Sequence, residues 1–325
     1  MSRGLLGVVA LLGLLLGVVG GGGAQSDYPS RSIEFIISFP PGGPLDTAVR
    51  IIQPQLSANL GAAIVLVNRG GAGGAIGMDY VAKARPDGYT VAASVKSTLT
   101  ILPASRPDLP YKLADFAVVG SYAEDSQGIL SRPNAPWKTL DEMIDYARKN
   151  PGKLTYGSAG TGTISHLNME MLKLARGLDI AHVPFAGTGP VKNAVLGGHV
   201  ALASTALSPM LPLVRSGDLV VLVTTAPRGL PGIAAPTMAE KGMPEASLST
   251  VSQLYVPART PREIVEKLAR ALEKTEKTVK EPAVAAAIEK AGMIVDYRGP
   301  DSTRKDIEAE YETLTTVAAK LGLAK

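Results

Sequence analysis

Three times in this chain a short apolar run of strand type passes through a glycine-containing turn into a stretch of helical period. In the first unit, Ile33 to Ser38 is rich in β-branched and aromatic residues, and the turn is Phe39-Pro40-Pro41-Gly42-Gly43-Pro44-Leu45-Asp46. Beyond it Ala48, Val49, Ile51, Ile52, Leu56 and Leu60 fall at near-helical spacing. The second unit runs from Leu154 to Ser158, turns at Ala159 to His166 and continues as a helix through Ala175. The third runs from Ile180 to Phe185, turns at Ala186 to Pro190 and continues from Val191 to Leu196. Such a turn leaves free N–H groups at the carboxyl edge of a sheet. With the positive end of the following helix, these groups favour a negative ligand. Taken alone, a Gly-Gly turn of this kind is better read as a tight corner with Asp46 serving only as a helix cap.

The 325 residues suffice for one large or two medium domains. Aromatic residues make up 5% and the formal net charge is +4, with no long run of Lys or Arg, so a nucleic-acid partner is not expected. Cysteine is absent, which excludes disulfides, thiolate metal sites, thiol catalysis and lipid attachment through cysteine. The three histidines, His166, His182 and His199, show no metal-binding spacing, so neither a metal nor a cofactor is expected.

Residues 1–24 carry Arg3, an apolar stretch from Leu5 to Val19 and a glycine run ending at Ala24. That order is the charged start, apolar middle and small-residue end of a signal peptide, with an uncleaved anchor as the alternative. Export out of the cytoplasm follows as an expectation, and it disfavours enzymes that consume ATP or NAD(P)H.

From Asp27 onward strands and helices alternate, as in parallel α/β units. Strands are predicted at Ile64 to Val67 and Thr90 to Ser94, with a helix from Ile76 to Ala84 between them. The strand order 2-1-3 would bring the loops at 39–46, 69–74 and 94–98 to one crevice. The glycine run at 70–74 is not a dinucleotide fingerprint, because its third glycine position holds Ile76. Short apolar segments around Glu124-Asp125-Ser126 read as a crossing into a second domain. Thr139 and Glu142 are spaced as a capping box. A return to the first domain is predicted near Val251 to Val256, followed by helices at Arg262 to Val279, Pro282 to Ala291 and Ser302 to Leu321. Ser158 fails the G-x-S-x-G elbow, since Tyr156 stands where a glycine is needed.

Motifs in a fixed order then carry a resemblance. They are Tyr28-Pro29-Ser30-Arg31, Phe39 to Asp46, Asn68 to Gly74, Arg85 to Thr90, Asn150 to Tyr156, Ser158 to His166, His182 to Gly187 and Leu196 to Val200. Across about residues 27–322 the chain resembles the substrate-binding proteins of tripartite tricarboxylate transporters, the TctC-like or Bug family of periplasmic receptors. The resemblance implies an α/β fold, a two-domain periplasmic-binding-protein clamshell (Venus flytrap, type II-like) with two crossing connections. Domain 1 would comprise 27–124 plus 252–325, and domain 2 would comprise 125–251.

It also implies a monomer without enzymatic activity, which captures a small organic acid (a di- or tricarboxylate, an aromatic acid or an acidic amino acid) and passes it to membrane transporter subunits. The implied ligand-binding residues are Phe39, Gly42, Gly43, Asp46, Thr47, Ser94 and Ser97 from domain 1. Ser158, Gly160, Thr161, Gly162, Thr163, Phe185, Thr188 and Thr205 would come from domain 2, while His166, in the first turns of its helix, reads equally as a ligand contact or as a structural hydrogen bond. Asp46 would orient the ligand, while Arg69 and Lys96 are candidates for a positive charge. Departures from the family pattern are Pro44-Leu45 before the aspartate, Gly70 after Asn68-Arg69, and Val251-Ser252-Gln253 where a tryptophan is frequent. A carboxylate sensor with the same clamshell, and a secreted α/β hydrolase using Ser158, are the alternative readings.

Overall fold

Strand-forming runs and helical stretches alternate in the computed structural model, which describes residues 28–106, 108–226, 233–279, 292–294 and 297–320. The first unit contains β1 (Ile33–Ile37), α1 (Pro44–Leu60), β2 (Ile64–Asn68), α2 (Ala75–Ala82), β3 (Thr90–Val95), α3 (Ile101–Ser105) and β4 (Phe116–Asp125). The second contains β5 (Gln127–Ser131), α4 (Leu140–Lys149), β6 (Leu154–Ser158), α5 (Ile164–Arg176), β7 (Ile180–Pro184), α6 (Thr188–Leu196), β8 (Leu202–Ala206), α7 (Leu211–Arg215) and β9 (Val220–Thr224). The chain then returns to the first sheet through β10 (Thr250–Pro257), followed by α8 (Arg262–Val279), β11 (Met293–Ile294) and α9 (Pro300–Lys320). The expected helix at Pro282 to Ala291 and the leader at 1–24 lie outside the described residues.

Two sheets result, ordered β11-β4-β10-β3-β1-β2 and β7-β6-β8-β5-β9. In the first, β1 pairs in parallel with both β2 and β3, as the 2-1-3 expectation has it. The second sheet repeats that arrangement with β6 between β7 and β8. Each sheet therefore has a point where strand order reverses, and loops leaving the carboxyl ends of β1 and β6 open onto it.

Helix α1 shows why the first unit folds as it does. Pro44 opens it at a position where a missing N–H costs nothing. Leu45, Ala48, Val49, Ile52, Leu56 and Leu60 form its buried face against the β-branched strands and α8. Pro54 stands inside the helix but on its exposed side, so the apolar stripe carries the helix past a residue that would otherwise end it. Asn59 Nδ2 donates to Thr275 Oγ1 at 3.0 Å, tying α1 to α8. In the second unit Thr139 caps α4 by accepting from the Glu142 N–H at 3.2 Å. Glu142 in turn accepts from the Lys138 N–H at 2.6 Å, one residue earlier than a reciprocal capping box requires.

The crossing between sheets is short. β4 ends at Asp125 and β5 begins at Gln127, leaving Ser126 between them. Thr250 on β10 pairs with Asp125, and the Gln127 amide donates to the Thr250 hydroxyl at 2.8 Å, so the outgoing and returning strands are bound together. Helix α9 spans the same region: Ile307 packs in the first unit and Leu314 reaches the core of the second. Glu310 on this helix accepts from Thr100 at 2.9 Å and forms an ion pair with Lys96.

Asp125 is fully enclosed at the crossing, where its carboxylate accepts from both the N–H and the hydroxyl of Ser208. Burial raises its pKa to about 7 against the opposing pull of Ser208, with Glu124 adding to the rise. A carboxyl group whose pKa is raised by folding holds its proton in the folded chain and loses it in the unfolded chain. Its contribution to stability is therefore intact below the unfolded pKa and declines as pH rises toward about 7. Asp125→Asn should remove that decline. The melting temperature of the variant relative to wild type should increase between about pH 5 and about pH 8, and a flat difference across that range would contradict the account.

Candidate functional site

The cavity between the sheets is built where three helices begin. Glycine or threonine occupies the cap position of each: Gly43 before α1, Thr163 before α5 and Gly187 before α6. All three caps line one chamber, and so do the second residues of the same helices, Leu45, Ser165 and Gly189. N–H groups in a first helical turn have no acceptor inside the helix; Pro44 brings none and the His166 N–H is taken by the Thr163 hydroxyl, so the remaining first-turn donors and three positive helix ends converge. The remaining walls are Phe39, Pro40, Pro41, Pro44, Val95, Ala159 and Ala206, with Gln127, Thr188 and Thr250 contributing polar groups. No ionisable side chain lines this chamber among the described residues, and its empty volume, mouth included, is about 530 Å³.

Opposing turns approach closely. A Cβ on Gly187, which sits at φ +138°, would lie 3.3 Å from Pro40 Cδ across the cleft, so the absence of a side chain allows the two turns to meet. Gly70 serves the first turn similarly: a Cβ there would come within 2.8 Å of Pro40 Cδ and 2.9 Å of its backbone nitrogen. The departure at Gly70 therefore accommodates Pro40 in the turn that shapes the cavity.

Asp46 is buried in the first turn of α1 but does not line the chamber. Its carboxylate accepts from the Gly42 N–H, Arg50 Nε and Asn68 Nδ2, each at 3.0 Å, and Arg50 Nη2 lies 2.9 Å from the other face of the group. Burial would raise its pKa, but the bonds from Arg50, Gly42 and Asn68 and the charge of Arg50 outweigh that effect and hold it below the ordinary value. Asn68 also donates to the Phe39 carbonyl at 3.0 Å. Asp46 thus fixes the turn from behind.

On the opposite side, Ser158 is fully buried and lines neither this chamber nor its neighbour. Its hydroxyl meets His182 Nε2 at 2.7 Å and also donates to the Gly160 carbonyl at 3.2 Å. His182 stacks between Tyr156 and His166, with ring centroids 4.8 and 4.2 Å away. Burial, followed by the neighbouring His166, lowers the His182 pKa to about 4. His166 is likewise held below its ordinary value by burial, and its Nδ1 accepts from the Gly162 N–H at 3.3 Å. Both imidazoles are therefore neutral at pH 7 and brace the 159–163 turn. Tyr156 extends the stack outward, donating to Glu170 at 2.6 Å, which also pairs with Lys173.

Of the sequence-predicted residues, Phe39, Gly43, Thr163 and Thr188 line the main chamber. Phe39, Gly160, Thr161 and Phe185 line an adjoining one. Gly42, Asp46, Thr47, Ser94, Ser97, Ser158, Gly162, His166 and Thr205 line neither. Several of these act one layer out: Thr205 donates to Thr188 at 3.3 Å, and Ser94 bonds Ser38 and Thr98. Lys96 is engaged by Glu310, and the Arg69 guanidinium lies over the Tyr80 ring at 3.9 Å. Sequence reasoning missed Gln127 and Thr250. The signal available for them was their position at the two crossings, where any cleft between the sheets must have its floor.

The pattern described as Tripartite tricarboxylate transporter family receptor (TctC) matches residues 48–323. Protein BugT of Bordetella pertussis is 32% identical over 320 residues, covering 97% of each chain. A solved structure of a periplasmic transporter is 35% identical with a TM-score of 0.86, covering 91% of this chain and 99% of its own. A second, an R. palustris protein with adipate, is 28% identical with a TM-score of 0.85, covering 92% and 99%.

The Asp46 network yields a direct test. Asp46→Ala should speed hydrogen exchange at the Gly42 amide and lower stability by about 1–2 kcal/mol, the value for charge-assisted bonds reduced for the exposure of Arg50. Unchanged exchange and unchanged urea unfolding would show that the turn does not depend on this carboxylate.

Proposed function

The chain belongs to the tripartite tricarboxylate transporter receptor family, and from that premise we propose that it captures a small organic carboxylate between its two lobes and delivers it to a membrane transporter of the tripartite tricarboxylate type. The observation that carries this reading is the convergence of three helix N-termini on a chamber that no ionisable side chain lines among the described residues. An acid held there replaces its lost hydration with oriented N–H dipoles and meets an apolar wall with the rest of its body. The adipate bound to the similar R. palustris protein supports an organic acid as the ligand class.

In this reading residues 27–124 with 252–325 form one lobe and 125–251 the other. The short connections at Asp125 to Gln127 and at Thr250 serve as the hinge. The ligand touches turns from both lobes, so it binds the closed form more tightly and shifts the population toward it, and the membrane partner reads that closure. Residues 1–24 act as the export signal, the mature chain works as a periplasmic monomer, and it performs no catalysis. Burial of the Ser158 hydroxyl, away from both chambers, argues against the hydrolase alternative.

The test is a thermal-shift screen in which each carboxylic acid is paired with its uncharged amide. Bound acid should raise the melting temperature by mass action, while the amide leaves it in place. Equal shifts from acid and amide, or silence across di- and tricarboxylates and aromatic acids, would contradict the proposal.

A further inference from the structure

Beside the main chamber lies a second space between the lobes. Phe39 and the Gly71 to Gly74 turn wall it on one side, and Gly160, Thr161 and Phe185 wall it on the other. Its empty volume, mouth included, is about 590 Å³. Phe39 and Ala159 line both spaces, so the Phe39 ring stands at the passage between them. Arg106 also lines this second space, and it is the one ionisable side chain lining either chamber among the described residues.

The position of Arg106 is set by contacts across the cleft. It follows α3 directly, and the last turn of that helix abuts the opposite lobe. A Cβ on Gly162 would lie 3.0 Å from Leu102 and 3.1 Å from the Ser105 hydroxyl. Ser105 is itself bound to the Ile101 carbonyl at 2.9 Å. The Arg106 side chain is 38% exposed, and its ion-pair partner Asp108, 3.5 Å from the guanidinium, has a side chain 73% exposed. A contact at that distance between exposed groups contributes little and is readily exchanged for a better acceptor.

Resting on the carboxylate-receptor reading, we propose that the second chamber is a subsite for a second anionic group, with Arg106 as its recognition residue. The ligand class is then an extended diacid: one carboxylate sits at the three helix N-termini, an apolar chain passes Phe39, and the far carboxylate exchanges with Asp108 for the Arg106 fork. Guanidinium geometry suits this role, because its planar donors meet both oxygens of a carboxylate. Among the described residues no carboxylate lines the main chamber to meet an α-ammonium group, and Asp46 behind it is engaged by Arg50, Asn68 and the Gly42 N–H, so amino acids are disfavoured.

Calorimetry with matched probes tests the subsite. Succinate, adipate and suberate are each paired with the monocarboxylate of equal chain length, namely butyrate, hexanoate and octanoate. For the diacid that fits best, Arg106→Gln should weaken binding about tenfold, the loss of one charge-assisted contact, while the matched monoacid changes within about twofold. Arg106→Lys should retain part of the diacid preference, because it keeps the charge without the fork. Melting curves establish that both variants are folded, as expected for a partly exposed side chain. Equal losses for diacid and monoacid, or no loss for either, would overturn the subsite. Equal binding of diacid and monoacid by wild type would overturn it as well, leaving the carboxylate reading intact. Failure of every acid to bind wild type would remove both.

Discussion

Everything in the cleft depends on presenting unpaired backbone N–H groups in one place without burying a charge to do it. A cationic side chain in a closing, water-poor cavity would have to be desolvated and would need a partner whenever the ligand is absent. Helix N-termini avoid that difficulty, because their donors are fixed by the fold and carry only partial charge. Here three such ends meet: Gly43, Gly187 and Gly189 leave the backbone bare, Thr163 and Ser165 add a hydroxyl, and Leu45 is an apolar residue packed into the core beside the chamber. The charged groups nearby are committed behind the turns. Asp46 holds the first through Gly42 and Asn68. The neutral His166 holds the second through Gly162.

Two repeated α/β units would give two such sites if they were independent. Instead the short β4–β5 crossing and the pairing of Gln127 with Thr250 turn the carboxyl edges of both sheets toward each other. The polar groups at the crossing therefore belong at once to the connection between the sheets and to the cavity floor, and in the proposed reading this is how contact with a ligand would be felt in the relative placement of the lobes. Helix α9 adds a constraint from outside, since its Leu314 end rests on the second unit while Glu310 is anchored to Lys96 and Thr100 of the first.

Much of this was legible in the sequence because it depends on local rules. Strand runs, Gly-rich turns and the 2-1-3 order follow from periodicity and connection geometry, and β1, β2 and β3 lie close to where those rules put them. What was not legible was the direction of individual side chains. Asp46 reads as a cleft residue or as part of a turn until Arg50 and Asn68 are seen to take up its carboxylate. Lys96 reads as a free cation until Glu310, more than two hundred residues later, is found beside it. Thr205 and Ser94 lie in the right strands but behind the lining, because alternate residues of a strand face opposite ways. Arg106 gave no local signal at all; its place in the second space depends on Gly160, Thr161 and Phe185, far away in sequence, lining the same space. Pro44-Leu45, conspicuous from the start as an apolar pair before an acidic residue, combines a helix start with a chamber wall.

The central claim is that backbone amides at the three helix starts, rather than charged side chains, hold the carboxylate. It is tested most directly by following amide resonances in a labelled sample while a binding acid is titrated. The account predicts that the largest shifts cluster at the amides of Leu45, Ser165 and Gly189 and their immediate neighbours, with the corresponding amide ligand producing no such cluster. Shifts centred on Lys96 or Arg69, or scattered without reference to the helix starts, would contradict it.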